Sequence, residues 1–185
     1  MFSHKIDAET ELRLLELHHA ERFFELAFRN RAHLGEWMFW IKDDYSIEDA
    51  RRHIKQELER FAAHDGFEVG IWSKHELAGC IRYRYIDWEH KNTELGYWLG
   101  AEFQGRGLVT KACAALLDYA FVELRLHRVE IRCMSENAKS RRIPESLGFI
   151  KEGLVRQVRW RRDHFDDHVV YGMLSSEWKS LENRE

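Results

Sequence analysis

The sequence predicts an α+β fold, a mixed and mostly antiparallel sheet flanked by helices in the order βααβββαβαββ. Three observations carry that expectation. Apolar residues recur at helical spacing in the first third of the chain, at alternate positions between Gly66 and Leu99, and at helical spacing again from Leu108. Taken in order, Glu11 to Leu17 alternates weakly and reads as an opening strand. Phe23, Leu26, Ala27 and Leu34 then form one helix or two. Ser46-Ile47-Glu48-Asp49 has the form of a capped helix start, after which Ile47, Ala50, Ile54, Leu58 and Phe61 share a face. Phe67 to Trp72, Leu77 to Trp88 and Asn92 to Leu99 are expected as a meander: Ile81, Tyr83 and Tyr85 alternate with Arg82 and Arg84, and Ser73 to Glu76 turns the first hairpin. Leu108, Ala112, Ala115, Leu116, Tyr119 and Ala120 mark the next helix. Arg128 to Cys133 is a strand, a short helix ends before Gly148, and Phe149 to Arg156 with His168 to Leu174 finishes the sheet.

A length of 185 residues without a Ser-, Pro- or Gly-rich stretch is expected to be a single domain over 1–185, with 175–185 as a polar tail. At 44% hydrophobic and 13% aromatic residues the chain has the apolar area for a core. Eleven Gly and one Pro exclude collagen-like and linker-dominated architectures. A net charge of −3 gives no global field to recruit nucleic acid or acidic lipid. No apolar run approaches the roughly 18 residues a bilayer span needs, and Met1 to Asp7 carries no export signal, so a cytoplasmic location is expected. Cys80, Cys113 and Cys133 show no CxxC spacing and read as buried thiols, neither a metal knuckle nor a disulfide framework.

The most informative segment is Gln104-Gly105-Arg106-Gly107-Leu108-Val109-Thr110, between the third meander strand and the next helix. Its glycines leave main-chain N–H groups accessible, and the helix that follows adds the positive end of its dipole, a combination that binds phosphate. Arg106 and Lys111 are placed to add charge-assisted contacts. Taken alone, the segment is either such a cradle or a tight connector. A nucleoside-triphosphate loop needs Gly-Lys-Ser/Thr, but Leu108 follows Gly107 and Thr110 precedes Lys111. A dinucleotide fold needs a third glycine where Thr110 stands, and a parallel unit where hairpins precede.

Three segments in register resolve the choice: Glu94-Leu95-Gly96-Tyr97-Trp98-Leu99, then Gln104-x-x-Gly107-x-Val109, then Asn137-Ala138-Lys139-Ser140 leading through Glu145 to Gly148-Phe149. Together they resemble the GNAT superfamily of acetyl-CoA-dependent N-acetyltransferases, in its RimJ/RimL-type branch, over almost the whole chain. The resemblance implies an acyl-CoA N-acyltransferase fold in which the main chain of Gln104, Gly105, Arg106, Gly107, Leu108, Val109 and Thr110 holds the pyrophosphate of coenzyme A. Val109 departs from the Gly or Ala usual at that place. The strand before the loop would splay from its neighbour, so that pantetheine pairs with Tyr97, Trp98 and Leu99, and Asn137 would contact the same arm.

Acetyl transfer to an amine needs a neutral nucleophile, a stabilised oxyanion and a proton for the departing thiolate. An α-amino group titrates near about 8 and a lysine near about 10.4, so a protein N-terminus needs less help from a base. By resemblance Glu94 is the candidate base, acting directly or through water, or else a surface carboxylate, and Ser140 is the candidate proton donor. The tyrosine that many relatives place seven residues after the asparagine is here Pro144. Ser140 also reads as a helix N-cap with Pro144 in the first turn, and Asn137 as an Asx turn or cap. Cys133 is the one thiol placed for a covalent route, and no neighbouring His or Lys is evident to activate it, which favours direct attack. Trp37, Phe39 and Trp40 are candidate acceptor walls or ordinary core.

Arg156, Arg159, Arg161 and Arg162 form a basic stripe that reads as a charged strand edge. His164 and His168, with Asp166 and Asp167, make only a weak metal pattern, so no metal is expected. The expected partners are acetyl-CoA as co-substrate and an amine acceptor, foremost the N-terminus of a protein such as a ribosomal protein. Membrane and nucleic acid are not expected, and the oligomeric state stays open. The rival reading is a non-catalytic CoA-binding or ribosome/RNA-binding module.

Overall fold

The computed structural model describes residues 3–38, 40–41, 44–161 and 163–178. The chain runs β1 (Ser3–Lys5), β2 (Thr10–Leu14), α1 (Ala20–Arg29), α2 (Arg31–Gly35), α3 (Ile47–Ala62), β3 (Phe67–Ser73), β4 (Glu76–Asp87), β5 (Asn92–Leu99), α4 (Leu108–Asp118), β6 (Arg128–Met134), α5 (Ala138–Leu147), β7 (Ile150–Arg161) and β8 (His164–Leu174). The strands form one sheet in the order β1-β2-β3-β4-β5-β6-β8-β7. Every pairing is antiparallel except β5 with β6. That one parallel pair exists because α4 carries the chain across a sheet face between them.

The meander follows the two-residue period, and Lys74 and His75 turn β3 into β4 with φ of 51° and 70°, the left-handed pair a two-residue hairpin uses. Ser46 caps α3 reciprocally with Asp49: the Asp49 N–H donates to Ser46 Oγ at 3.3 Å and the Ser46 N–H to the Asp49 carboxylate at 3.0 Å. Alternation divides the sheet faces. Tyr83 and its cross-strand partner Leu95 point to α4, where the Tyr83 hydroxyl donates to the Leu116 carbonyl. Trp98 points the other way and meets Phe23 of α1 edge to face at 5.6 Å.

Several expectations change. β1 was not foreseen, since three exposed residues carry no apolar pattern. The opening strand ends at Leu14, and Leu17 starts a short 3-10 turn. Phe61, expected on the buried face of α3, is 37% exposed. The last hairpin is longer than expected: Val158 and Trp160 alternate with Arg159 and Arg161, but these apolar side chains are exposed, so the strands extend beyond the core that the sequence reading followed. The tail does not fray from residue 175: buried Trp178 donates its indole N–H to Asp118 at 2.8 Å. Residues 179–185, Phe39 and Arg162 lie outside the described residues.

Candidate active site

Parallel pairing of β5 with β6 covers only Asn92 to Leu95 against Arg128 to Ile131. Beyond it β6 stays with β8 as far as Met134, while β5 stays with β4 as far as Leu99. Among the described residues, the β6-facing side of Gly96–Leu99 therefore has no strand partner, an edge in mid-sheet that leaves main-chain donors and acceptors for a ligand. A cleft of about 630 Å³ opens there, lined by Tyr97, Trp98, Leu99, Gln104, Gly105, Gly107, Leu108, Val109, Thr110, Asn137 and Ser140.

Gly105 and Gly107 sit at φ of +76° and +71°, and a Cβ built on either meets nothing within 4 Å. Their conformation, not crowding, requires glycine. Gly107 is the N-cap of α4 and has no side chain to satisfy the first-turn N–H groups, which stay available to an anion. The cations at this loop are not those the spacing suggested. Arg106 folds back, donating to the Glu102 carbonyl at 2.9 Å and lying over Phe103, and it does not line the cleft. Lys111 is held by Asp7 at 2.7 Å. Lys139 and Arg142 line the cleft from α5 instead, and Lys139 donates to Gln104, whose amide also reaches His33 at 2.7 Å.

Asn137 caps α5, accepting the Ser140 N–H at 3.0 Å, so the cap is Asn137 and not Ser140. Pro144 falls in the second turn, not the first. Lacking an N–H, it leaves the Ser140 carbonyl without its helical donor, and the Tyr97 hydroxyl donates there at 3.0 Å. The helix defect thereby fixes Tyr97 beside the Ser140 hydroxyl, which lies 3.4 Å from Tyr97 Oη and 3.2 Å from Cys133 Sγ. Burial pushes the Tyr97 phenol well above its ordinary range, so it remains a donor at neutral pH. The placement of the Tyr97 hydroxyl beside Ser140 is invisible in sequence, because it follows from strand and helix packing.

Burial also raises the Cys133 thiol, against the lowering effect of hydrogen bonds from Ser140 and Tyr97, and a protonated thiol is no nucleophile. Cys133→Ala is accordingly expected to keep steady-state turnover, checked by thiol release. Loss of turnover together with an isolable acetyl-enzyme would overturn direct transfer.

A second cleft of about 600 Å³ meets the first at Trp37, Met38, Tyr97, Trp98, Asn137 and Ser140. Glu94 lines it, 12% exposed, with Arg84 at 3.4 Å and Arg132 at 3.7 Å. Burial raises the Glu94 carboxyl and the two arginines oppose that rise. Trp40 lines the cleft while packing on His53, parallel at 6.1 Å, so it is both wall and core. Trp37 lies under the Arg161 guanidinium at 5.7 Å. Arg161 itself is taken by Asp166 at 2.6 Å and by the Glu36 carbonyl, which ties the stripe to the region after α2. His164 pairs with Asp163, while His168 Nε2 is buried without a hydrogen-bond partner among the described residues. The pattern also hid Arg82, Arg84 and Arg132, which read as the polar positions of strands.

Comparison with known proteins agrees with this geometry. Residues 10–150 match the acetyltransferase (GNAT) domain family. The chain is 37% identical over 180 residues to the putative ribosomal N-acetyltransferase YdaF of Bacillus subtilis, covering 97% of this chain and 98% of that protein. It is 27% identical to the ribosomal-protein-serine acetyltransferase of Escherichia coli, over 92% of this chain and 95% of the relative. Among solved structures, a probable acetyltransferase superposes with a TM-score of 0.89 at 36% identity, covering 96% of this chain and 99% of the other. The microcin C7 self-immunity acetyltransferase MccE, in complex with acetyl-CoA and AMP, superposes with a TM-score of 0.87 at 27% identity, covering 92% and 94%.

Proposed function

We propose that this chain, which belongs to the GNAT acetyltransferase family, acetylates the N-terminal α-amino group of a protein, foremost a ribosomal protein. The observation that carries the reading is the meeting of the two clefts at Tyr97, Trp98, Asn137 and Ser140, where the unpaired edge of β5 ends. Acetyl-CoA, when bound, supplies an activated acetyl thioester. The chain's part is to hold and to move protons. Gln104 to Thr110 offer N–H groups and a helix N-terminus to a diphosphate, and Gly96–Leu99 offer an unsatisfied strand edge to an amide-bearing arm. Glu94, across the junction in the acceptor cleft, takes the proton of the incoming amine, through water where the reach requires it. Ser140, backed by Tyr97, gives a proton to the departing sulfur.

An N-terminal amine fits the moderate base available, because a fraction of it is already neutral near pH 7. Glu94→Gln is therefore expected to lower kcat/KM by only about tenfold. Its pH profile is the sharper readout. A carboxyl whose pKa burial has raised loses its ionised, proton-accepting form as pH falls through that raised value, so the acid limb of the native enzyme lies above that of an ordinary glutamate. In Glu94→Gln that limb disappears and only the titration of the amine remains; an unchanged limb would remove Glu94 from the mechanism. The function itself is tested with acetyl-CoA and a panel of peptides, measuring thiol release. Release that depends on the peptide and yields an N-terminally acetylated product is expected. Binding of acetyl-CoA without acceptor-dependent release would favour the binding-module alternative.

A further inference from the structure

We infer that the acceptor cleft is built for an amine on an anionic carrier, a peptide whose first residue is followed closely by Asp or Glu, with Arg82, Arg84, Arg132 and Arg159 drawing those carboxylates in. This deepens the acetyl-transfer reading above and rests on it. The four arginines project from β4, β6 and β7 on the sheet face opposite α4, and all line the cleft. Two of them lie over Gly96 of β5, where a Cβ would be in ordinary contact, 3.5 Å from Arg84 Cγ and 3.7 Å from Arg82 Nε.

Their neutralisation is incomplete. Glu94 serves both Arg84 and Arg132. Glu57 is shared by Arg82 and Arg60. Glu130 is shared by Arg132 and Arg128. Like-charge crowding shows in the neighbours: burial first and then Arg84 hold the Arg159 guanidinium below its ordinary range, and burial, Arg159, Arg132 and Arg84 hold His168 down, in both cases against the opposing charge of Asp166. The other carboxylates of the cleft do not restore the balance here. Asp49 is engaged by Ser46 and Arg52, Glu68 by His53, and Asp44 is exposed to solvent. A cationic acceptor such as a polyamine meets repulsion in this cleft, whereas a carboxylate gains charge-assisted, bidentate contacts.

The test compares peptides with one first residue and Asp-Glu, Gln-Gln or Lys-Lys after it, together with spermidine, at low and high salt. At low salt kcat/KM is expected to be about tenfold higher for the acidic peptide than for the neutral one, with the basic peptide and spermidine lower still. The preference should shrink as salt screens it. In Arg159→Gln the acidic-to-neutral ratio should fall severalfold; should that variant not fold, the salt series on the native chain carries the same information. Equal rates for all peptides, or an advantage for the basic peptide or spermidine, would overturn the inference and leave acetyl transfer standing. Acetyl-CoA binding without turnover of any acceptor would overturn both.

Discussion

Gly107→Glu is expected to weaken acetyl-CoA binding by about 100-fold or more, measured by calorimetry, while the chain stays folded. Two effects add. At φ of +71° any side chain carries the left-handed penalty of about 1 kcal/mol. The larger effect is electrostatic, because the new carboxylate would stand where the first-turn N–H groups of α4 await the negative charge of a diphosphate. Gly107→Ala separates the two. It carries the backbone strain without the charge, and a built Cβ meets nothing within 4 Å, so it should lower Tm by a few degrees and affinity far less. If Ala and Glu weakened binding equally, the loop would be a strained connector rather than a phosphate cradle. If neither weakened it, the diphosphate would lie elsewhere.

The sequence made the order of elements legible wherever one face of an element is buried. Ile81 and Tyr83 against Arg82 and Arg84 announce β4, and Ser46 with Asp49 announces the start of α3, because period and cap are local properties. It was less legible where the apolar side chains are exposed, as over Gln157–Asp167, where Val158, Trp160 and Phe165 extend the hairpin past the core. The loop proposed to hold the cofactor was legible for a related reason: Gly105 and Gly107 encode a backbone conformation that the chain carries in its letters. Its cations were not. Lys111 stands near the loop in sequence but is claimed by Asp7, which the edge strands bring alongside, while Lys139 arrives from α5. The arginine group around Glu94 is likewise assembled by strand register, from residues that each look like an ordinary solvent-facing position. Long-range pairing decides such sites, and spacing along the chain does not encode it.

The proposed proton path to the leaving sulfur depends most on that long-range assembly, and there Ser140→Ala is expected to lower kcat by about 10- to 100-fold. This corresponds to losing one hydrogen bond to a charged group, about 1.5–3 kcal/mol. The effect should sit near the lower end of what a general acid contributes, because a thiol of pKa near about 8.5 leaves without full protonation. Binding of acetyl-CoA should change little. The cap of α5 should survive as well, since Asn137 holds the main-chain N–H of residue 140 and not its side chain. Tyr97→Phe is expected to act in the same direction but less strongly, as Tyr97 reaches the sulfur's neighbourhood through Ser140, 3.4 Å away. If the two hydroxyls form one relay, the double variant should be no slower than the slower single. Independent, multiplying losses would break the relay. Pro144 explains why the pair has this geometry: a residue with an N–H at 144 would claim the Ser140 carbonyl for the helix and compete with the hydroxyl that now binds it. The proline that stands where many relatives place a donor thus orients the hydroxyl proposed to back its replacement.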